Sequence, residues 1–246
     1  MDKMFYTFKE KFNSINELGW VKSLRKGSTG IGYTFESLIG KEEENFEFPD
    51  YNNIEIKTKR SRSNFYITLF NATPDGEELF EIKKIHDRYG YPYYKNKNLK
   101  VLNNSVFSNL ITNIGVFYKF KLNVNYNDER IYLHVFNLDG KLIDTSTYWS
   151  FKYLEEKLER KLKFLAIIYA NNKFIDGWEY FKYEKLNLYE LKDFKYFILL
   201  IDKGLIRVTF KIGSEVDKDG NIKIHDHGTG FDININNIDS LYTKII

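Results

Sequence analysis

The sequence predicts a mixed α/β (α+β) fold, and three observations carry that prediction. Segments with apolar residues at every second position are interspersed with segments whose apolar residues recur at helical spacing. Hydrophobic residues make up 43% and aromatic residues 17% of the 246 positions, enough for a sizeable packed core. There are only three prolines (Pro49, Pro74 and Pro92), no low-complexity linker and no repeat of fixed period, so any division into lobes is expected to be shallow.

Taken in order, the N-terminal MDKMFYTFKEKF mixes charged with apolar residues and lacks the uninterrupted apolar stretch of a signal peptide. Ile31, Phe35, Leu38 and Ile39 recur at helical spacing, Ser28 or Thr29 can cap the start and Gly40 the end, so residues 32–39 are predicted helical. Alternation predicts strands at 53–57, 65–70, 117–124 and 130–136, the last two joined as a hairpin across NYNDE. Helices are predicted at 77–85 and 152–164, the second with Leu154, Leu158 and Leu162 on one stripe. Strands are predicted at 165–170, 196–201, 205–212 and 221–225, with Asp219-Gly220-Asn221 as a turn.

Composition narrows the function classes. The formal charge of +3 is mildly basic, so a nucleic-acid partner has to be argued from local clusters. No cysteine is present, which excludes disulfides and thiolate metal sites and leaves oxygen or imidazole to hold any metal. Apolar runs such as Tyr196 to Ile201 are too short to span a bilayer. A cytoplasmic protein without a membrane partner is the expectation.

Two segments pair Pro-Asp with a following Glu-x-Lys: Pro49-Asp50 with Glu55 and Lys57, and Pro74-Asp75 with Glu81 and Lys83. The second lies in a helical pattern, where positions two apart diverge by about 200°, so Glu81 and Lys83 cannot share a site. The first lies in a strand pattern, which puts Glu55, Lys57 and Lys59 on one face and Ile54 and Ile56 on the other. Hydrolysis of a phosphodiester calls for a divalent cation to neutralise developing charge and acidify the attacking water. Asp50 and Glu55 are suitable hard oxygen ligands for Mg²⁺, and Lys57 can orient the water and offset charge. Against these residues stands the plainer possibility of a charged strand edge. Upstream, Glu36 sits mid-helix where it could be aimed at the same site. Downstream, KTKRSR places Lys59, Arg60 and Arg62 where a polyanion's phosphates would lie.

The order Gly30-Ile31-Gly32-Tyr33-Thr34-Phe35-Glu36-Ser37-Leu38-Ile39-Gly40, then Asp50, then Ile54-Glu55-Ile56-Lys57-Thr58 resembles the active-site region of MutH-type nucleases in the PD-(D/E)XK superfamily. Within it, the MvaI/BcnI type II restriction endonucleases are the most similar. The specific part covers roughly residues 27–60. The resemblance implies a nuclease core with a mixed central sheet flanked by helices, and two lobes forming a DNA cleft. It implies Asp50 and Glu55 as Mg²⁺ ligands, Lys57 as the catalytic lysine and Glu36 as an auxiliary carboxylate. It also implies a monomer that cuts double-stranded DNA at CCWGG-type sites and leaves 5′-phosphate ends. A catalytic lobe at 1–120 and a DNA-recognition lobe at 121–246 are expected, with an approximate boundary and room to interleave. The gap between Asp50 and Glu55 is shorter than in the mismatch-repair member, so convergence of the two carboxylates depends on the turn at Tyr51-Asn52-Asn53.

Base readout needs cations for guanine and carboxylates or amides for cytosine or adenine. In LIRVTFKI, Arg207 and Lys211 alternate with a buried-type apolar set, which fits either a reading face or an ordinary amphipathic strand. In KIHDHGTGF, Lys223, His225, Asp226 and His227 precede two glycines, and the two histidines lack an evident third metal ligand. A Gly-rich loop presenting these four side chains to bases is the favoured reading, against a bland turn with surface histidines. Alternatives for the whole protein are a MutH-like mismatch-repair nicking endonuclease and a non-catalytic DNA-binding module.

Overall fold

The structure, a computed structural model, describes residues 3–40, 49–61 and 66–246. In chain order its elements are helix α1 (Lys3–Glu17), strand β1 (Val21–Lys22), α2 (Gly30–Ile39), β2 (Ile54–Arg60), β3 (Tyr66–Asn71), α3 (Glu78–Tyr89), β4 (Tyr91–Tyr93), β5 (Asn96–Val106), β6 (Thr112–Ile114), β7 (Tyr118–Asn125) and β8 (Arg130–Phe136). There follow β9 (Leu142–Ser150), α4 (Phe151–Leu162), β10 (Phe164–Ile175), β11 (Trp178–Leu191), α5 (Phe194–Asp202), β12 (Ile206–Val216), β13 (Ile222–Asp226), β14 (Gly230–Asn234), a 3-10 turn (Ile235–Asn237), α6 (Ile238–Leu241) and β15 (Tyr242–Lys244). The mixed α/β class is as the sequence predicts. Among the described residues no helix is long and apolar enough to cross a membrane.

The elements form two compact units. The first takes Met1–Phe65, Leu158–Lys192 and Tyr242–Ile246; the second takes Tyr66–Lys157 and Asp193–Leu241. The chain is thus not divided by one cut near residue 120, because β10, β11 and β15 return to the sheet that β1 and β2 begin.

In the first unit that sheet has the order β1-β11-β10-β2, with β15 also paired to β11. β2 runs parallel to β10, pairing Glu55 with Leu165 and Lys57 with Ile167. A parallel edge suits a strand covered on both sides, and both faces of β2 carry buried residues. On one face Ile54 and Ile56 join a core with Phe5, Phe8, Phe12 and Ile15 of α1 and with Ile31, Phe35 and Ile39 of α2. The N-terminal segment is therefore a helix: its four buried residues follow helical spacing, a pattern hidden in sequence by charges between them. α2 ends as predicted at Gly40, whose φ of 88° gives the left-handed cap. Its start differs from expectation, since Thr29 at the N-cap makes no side-chain capping bond.

The second unit holds a six-stranded sheet, β3-β14-β12-β5-β4 with β13 on β12, and a four-stranded sheet, β6-β7-β8-β9. The predicted β7–β8 hairpin forms, and β12 pairs with β13 across the predicted turn, where Gly220 has φ of 83°. Trp149, Phe210 and Phe231 fill the core with ring centroids 5.8–6.3 Å apart across Trp149. One predicted strand is a helix: residues 196–201 lie in α5. Asp193 caps it by accepting from the Lys195 N–H, and Phe197, Ile198, Leu200 and Ile201 are all buried. A short continuous apolar run buried on most sides has no periodicity that separates helix from strand.

The start of α2 approaches its neighbours closely. A Cβ on Gly30 would stand 2.5 Å from Ser23 Oγ and 2.6 Å from the Arg25 carbonyl oxygen. The second partner is backbone, so relief requires main-chain movement. Gly30→Ala is expected to destabilise the protein by about 1–3 kcal/mol, read as a lower denaturant midpoint; an unchanged midpoint would contradict this packing.

Candidate active site

The turn between Asp50 and Glu55 decides whether the two carboxylates meet. Tyr51 and Ile54 exchange backbone hydrogen bonds of 3.0 and 2.7 Å, and between them Asn52 and Asn53 have φ of 40° and 66°. Two left-handed residues inside a two-residue reversal make a type I′ turn, and Asn is among the few residues that adopt that conformation readily. The reversal folds Asp50 back along β2, where its Oδ2 accepts from the Ile56 N–H at 2.8 Å. Asp50 is thereby held against the strand between Glu55 and Lys57.

Strand parity holds as predicted. Lys57 Nζ donates to Glu55 Oε1 at 2.6 Å, two positions along the same face. Lys161 of α4 adds a second ammonium 3.6 Å from the same oxygen. Glu55 is 2% exposed, and its Oε2 has no hydrogen-bond partner among the described residues. Burial pushes the Glu55 carboxyl above its ordinary range, Lys57 pulls it down, the Asp50 charge pushes it up and Lys161 pulls it down, with a net rise. Tyr242, buried, is raised by burial and by the Glu55 charge.

These facts test whether a divalent cation fits. The Asp50 charge is close enough to raise the proton affinity of Glu55, and Glu55 keeps a buried oxygen without a donor. A cation satisfies both conditions at once, with remaining ligands from water and phosphate, as suits Mg²⁺. Among the described residues no three or more His, Asp or Glu side chains group as a metal site.

The other predicted residues fare differently. Glu36 lies in α2 with its Oε1 near Gly32, on the side where Gly32 approaches Thr58. Thr58 shares its face with Ile54 and Ile56 by parity, so the helix brings Glu36 to the back of β2 and not to the Glu55–Lys57 face. Lys59 is on the correct face but is buried at 7% exposure, and burial lowers its pKa. Arg60 is committed to Glu179 through Nε and Nη2, both at 2.7 Å, and to the Ser28 carbonyl through Nη1 at 3.1 Å. Of the expected phosphate track, Lys59 is thus buried, Arg60 is half-buried and paired with Glu179, and Arg62 lies outside the described residues. The rejected second motif does diverge: Glu81 pairs with Lys84 and Lys83 with Asp87, while Asp75 accepts from the Ser150 N–H and hydroxyl.

In the second unit, Arg207 and Lys211 are half-buried on β12 and Lys223 is exposed on β13, 3.4 Å from Asp217. His225 and His227 approach through their Nε2 atoms at 2.8 Å. Asp226 does not stand out toward solvent: Oδ1 accepts from the Gly228 N–H at 3.0 Å and Oδ2 from the Thr229 N–H at 2.8 Å. It shapes the glycine loop, and the histidines and Lys223 are what the loop displays. Sequence reasoning missed Lys161, Tyr242 and Asp232, each brought in by an element far away along the chain.

The sequence pattern of the MvaI/BcnI restriction endonuclease family matches residues 9–242. A solved structure described as "Restriction endonuclease MvaI-cognate DNA substrate complex" superposes with a TM-score of 0.89 at 33% identity, covering 99% of this chain and 98% of the other. Another, "Restriction endonuclease MvaI in the absence of DNA", superposes with a TM-score of 0.64 at 33% identity, covering 99% and 97%. At that identity the chain is a relative of MvaI and not MvaI itself. No curated protein sequence matches the chain.

The raised pKa of Glu55 has a consequence for stability. Its folded-state pKa lies above the unfolded value, so proton retention favours the fold below the unfolded pKa, and this contribution is lost as pH rises through the folded pKa. Glu55→Gln, which cannot ionise, is expected to raise the melting temperature of metal-free protein near about pH 8, a gain that shrinks toward about pH 4. A gain that instead grows toward acid would contradict the assignment.

Proposed function

Because the chain belongs to the MvaI/BcnI restriction endonuclease family and is a type II site-specific deoxyribonuclease, we propose that it cleaves double-stranded DNA in a Mg²⁺-dependent reaction at the Asp50–Glu55–Lys57 site. The observation that carries this reading is the buried Glu55 carboxylate, tied through Oε1 to Lys57 and left without a partner at Oε2 beside Asp50. We further propose a CCWGG-type recognition sequence, products with 5′-phosphate and 3′-hydroxyl ends, and a monomer that nicks each strand in turn.

In this reading Asp50 and Glu55 hold the cation. The ion, when bound, supplies charge neutralisation at the scissile phosphate and a more acidic water. Lys57 orients the attacking water and offsets the negative charge that gathers on the phosphate as the water oxygen bonds to phosphorus and the bond to the 3′ oxygen breaks. The type I′ turn fixes Asp50 before substrate arrives, so the carboxylates need little rearrangement. Glu36, behind the strand, has a supporting role at most. The first unit carries the chemistry, and the second carries recognition through Arg207, Lys211, Lys223, His225 and His227. The 0.89 superposition on a relative described with its cognate DNA supports DNA as the partner.

Incubation of the protein with a genome of known sequence and Mg²⁺, followed by sequencing of fragment ends, tests activity, site and cut position together. Discrete double-strand fragments with 5′-phosphates at CCWGG are expected; nicked circles alone, or fragments without the added ion, would overturn the reading. Lys57→Ala should lower the cleavage rate by about a hundredfold or more while leaving binding to the same duplex within about threefold. Cleavage at the parent rate would remove Lys57 from the mechanism.

A further inference from the structure

In the second unit a carboxylate that no sequence feature singled out is buried at the centre of a polar row. Asp232 of β14, 5% exposed, pairs across the sheet with Thr68 of β3 and Arg207 of β12. The Thr68 hydroxyl donates to Oδ1 at 2.7 Å, and the Thr209 hydroxyl donates to Oδ2 at 2.7 Å. Ser105 Oγ stands 3.0 Å from Thr209 Oγ1. Since the Thr209 proton is given to Asp232, Ser105 must be the donor in that pair. Hydroxyl dipoles from both sides are therefore directed at one buried carboxylate.

Arg207 meets this carboxylate loosely. Nε and Nη2 both point to Oδ2 at 3.4 Å, and the guanidinium lies over the Tyr66 ring with 3.6 Å to its centroid. Arg60 in the same protein shows what a purely structural guanidinium looks like: two 2.7 Å bonds to separate carboxylate oxygens and a third to a carbonyl. Arg207 has neither the short distances nor the third partner, and among the described residues its Nη1 donates to no protein group. Its plane is fixed by a ring below and a carboxylate on the Nε–Nη2 edge, which leaves the Nη1–Nη2 edge to face a ligand.

We propose that Asp232 is a positioning residue for sequence readout, holding Arg207 so that its outer edge takes the paired O6 and N7 acceptors of one guanine in the recognised DNA. This rests on the proposed reading of the chain as a site-specific DNA-cutting enzyme. A guanidinium locked in plane matches the fixed geometry of a guanine edge, whereas a phosphate contact needs no such fixed plane.

The test separates binding from cleavage by using Lys57→Ala protein without divalent ion and a duplex carrying CCAGG, with each guanine in turn replaced by 7-deazaguanine, which lacks N7. One replacement is expected to weaken binding by about fivefold to a hundredfold, and to have no further effect once Arg207→Ala is added. Asp232→Asn is expected to lose most of that sensitivity while keeping its affinity for a scrambled duplex. If Asp232→Asn fails to fold by circular dichroism, Thr68→Val, which removes one of the donors, should lose part of the same sensitivity. Full sensitivity in the Asp232 or Thr68 variants overturns the positioning role. Additive effects of Arg207→Ala with every replacement overturn guanine reading. Equal weakening on cognate and scrambled duplexes, with a salt slope lower by about one, makes Arg207 a phosphate contact and also overturns it. A parent protein that does not prefer CCAGG to the scrambled duplex sinks the recognition-site reading and this proposal with it.

Discussion

The first unit depends on the alternation of a single strand. β2 places Ile54, Ile56, Thr58 and Arg60 on one side, where α1 and α2 supply the apolar partners, and Glu55, Lys57 and Lys59 on the other. A slip of one residue would drive Glu55 and Lys57 into the aromatic cluster around Phe35 and move Ile54 and Ile56 out of it, so packing of the isoleucines enforces the register of the charged face. The parallel pairing with β10 locks the same register from the side. The chemistry of the site is thus held in place by the hydrophobic effect acting on its neighbours.

What the sequence made legible follows from the range of the interactions involved. The strand parity at residues 54–60, the α2 helix with its Gly40 cap, the β7–β8 hairpin and the Asp219-Gly220-Asn221 reversal are all set by neighbours within a few positions. Lys161 and Tyr242 at Glu55, and Asp232 beneath Arg207, arrive through tertiary folding, and no local spacing marks them. The basic run KTKRSR divides for a physical reason: cations consecutive in sequence alternate faces on a strand, so Arg60 meets Glu179 while Lys59 is buried on the opposite side. The placement of Glu36 was not legible, because helical spacing fixes which residues share a stripe but not which face of the sheet the stripe meets.

The carboxylates themselves show how position and reactivity are separated. Burying a carboxylate is costly unless its oxygens find donors. Asp226 satisfies both oxygens with backbone N–H groups, and Asp232 satisfies both with hydroxyls and a guanidinium. Each of these groups fixes something else, a loop in one instance and an arginine in the other. Glu55 differs, because two lysines converge on Oε1 while Oε2 meets no donor among the described residues, and the net effect favours a proton. A carboxylate in that condition has a deficit of positive charge at one atom, which a proton or a bound cation removes. Motif matching finds acidic pairs of every kind in a chain with 29% charged residues. What sets Glu55 apart from Asp226 and Asp232 is an oxygen without a donor beside a second carboxylate.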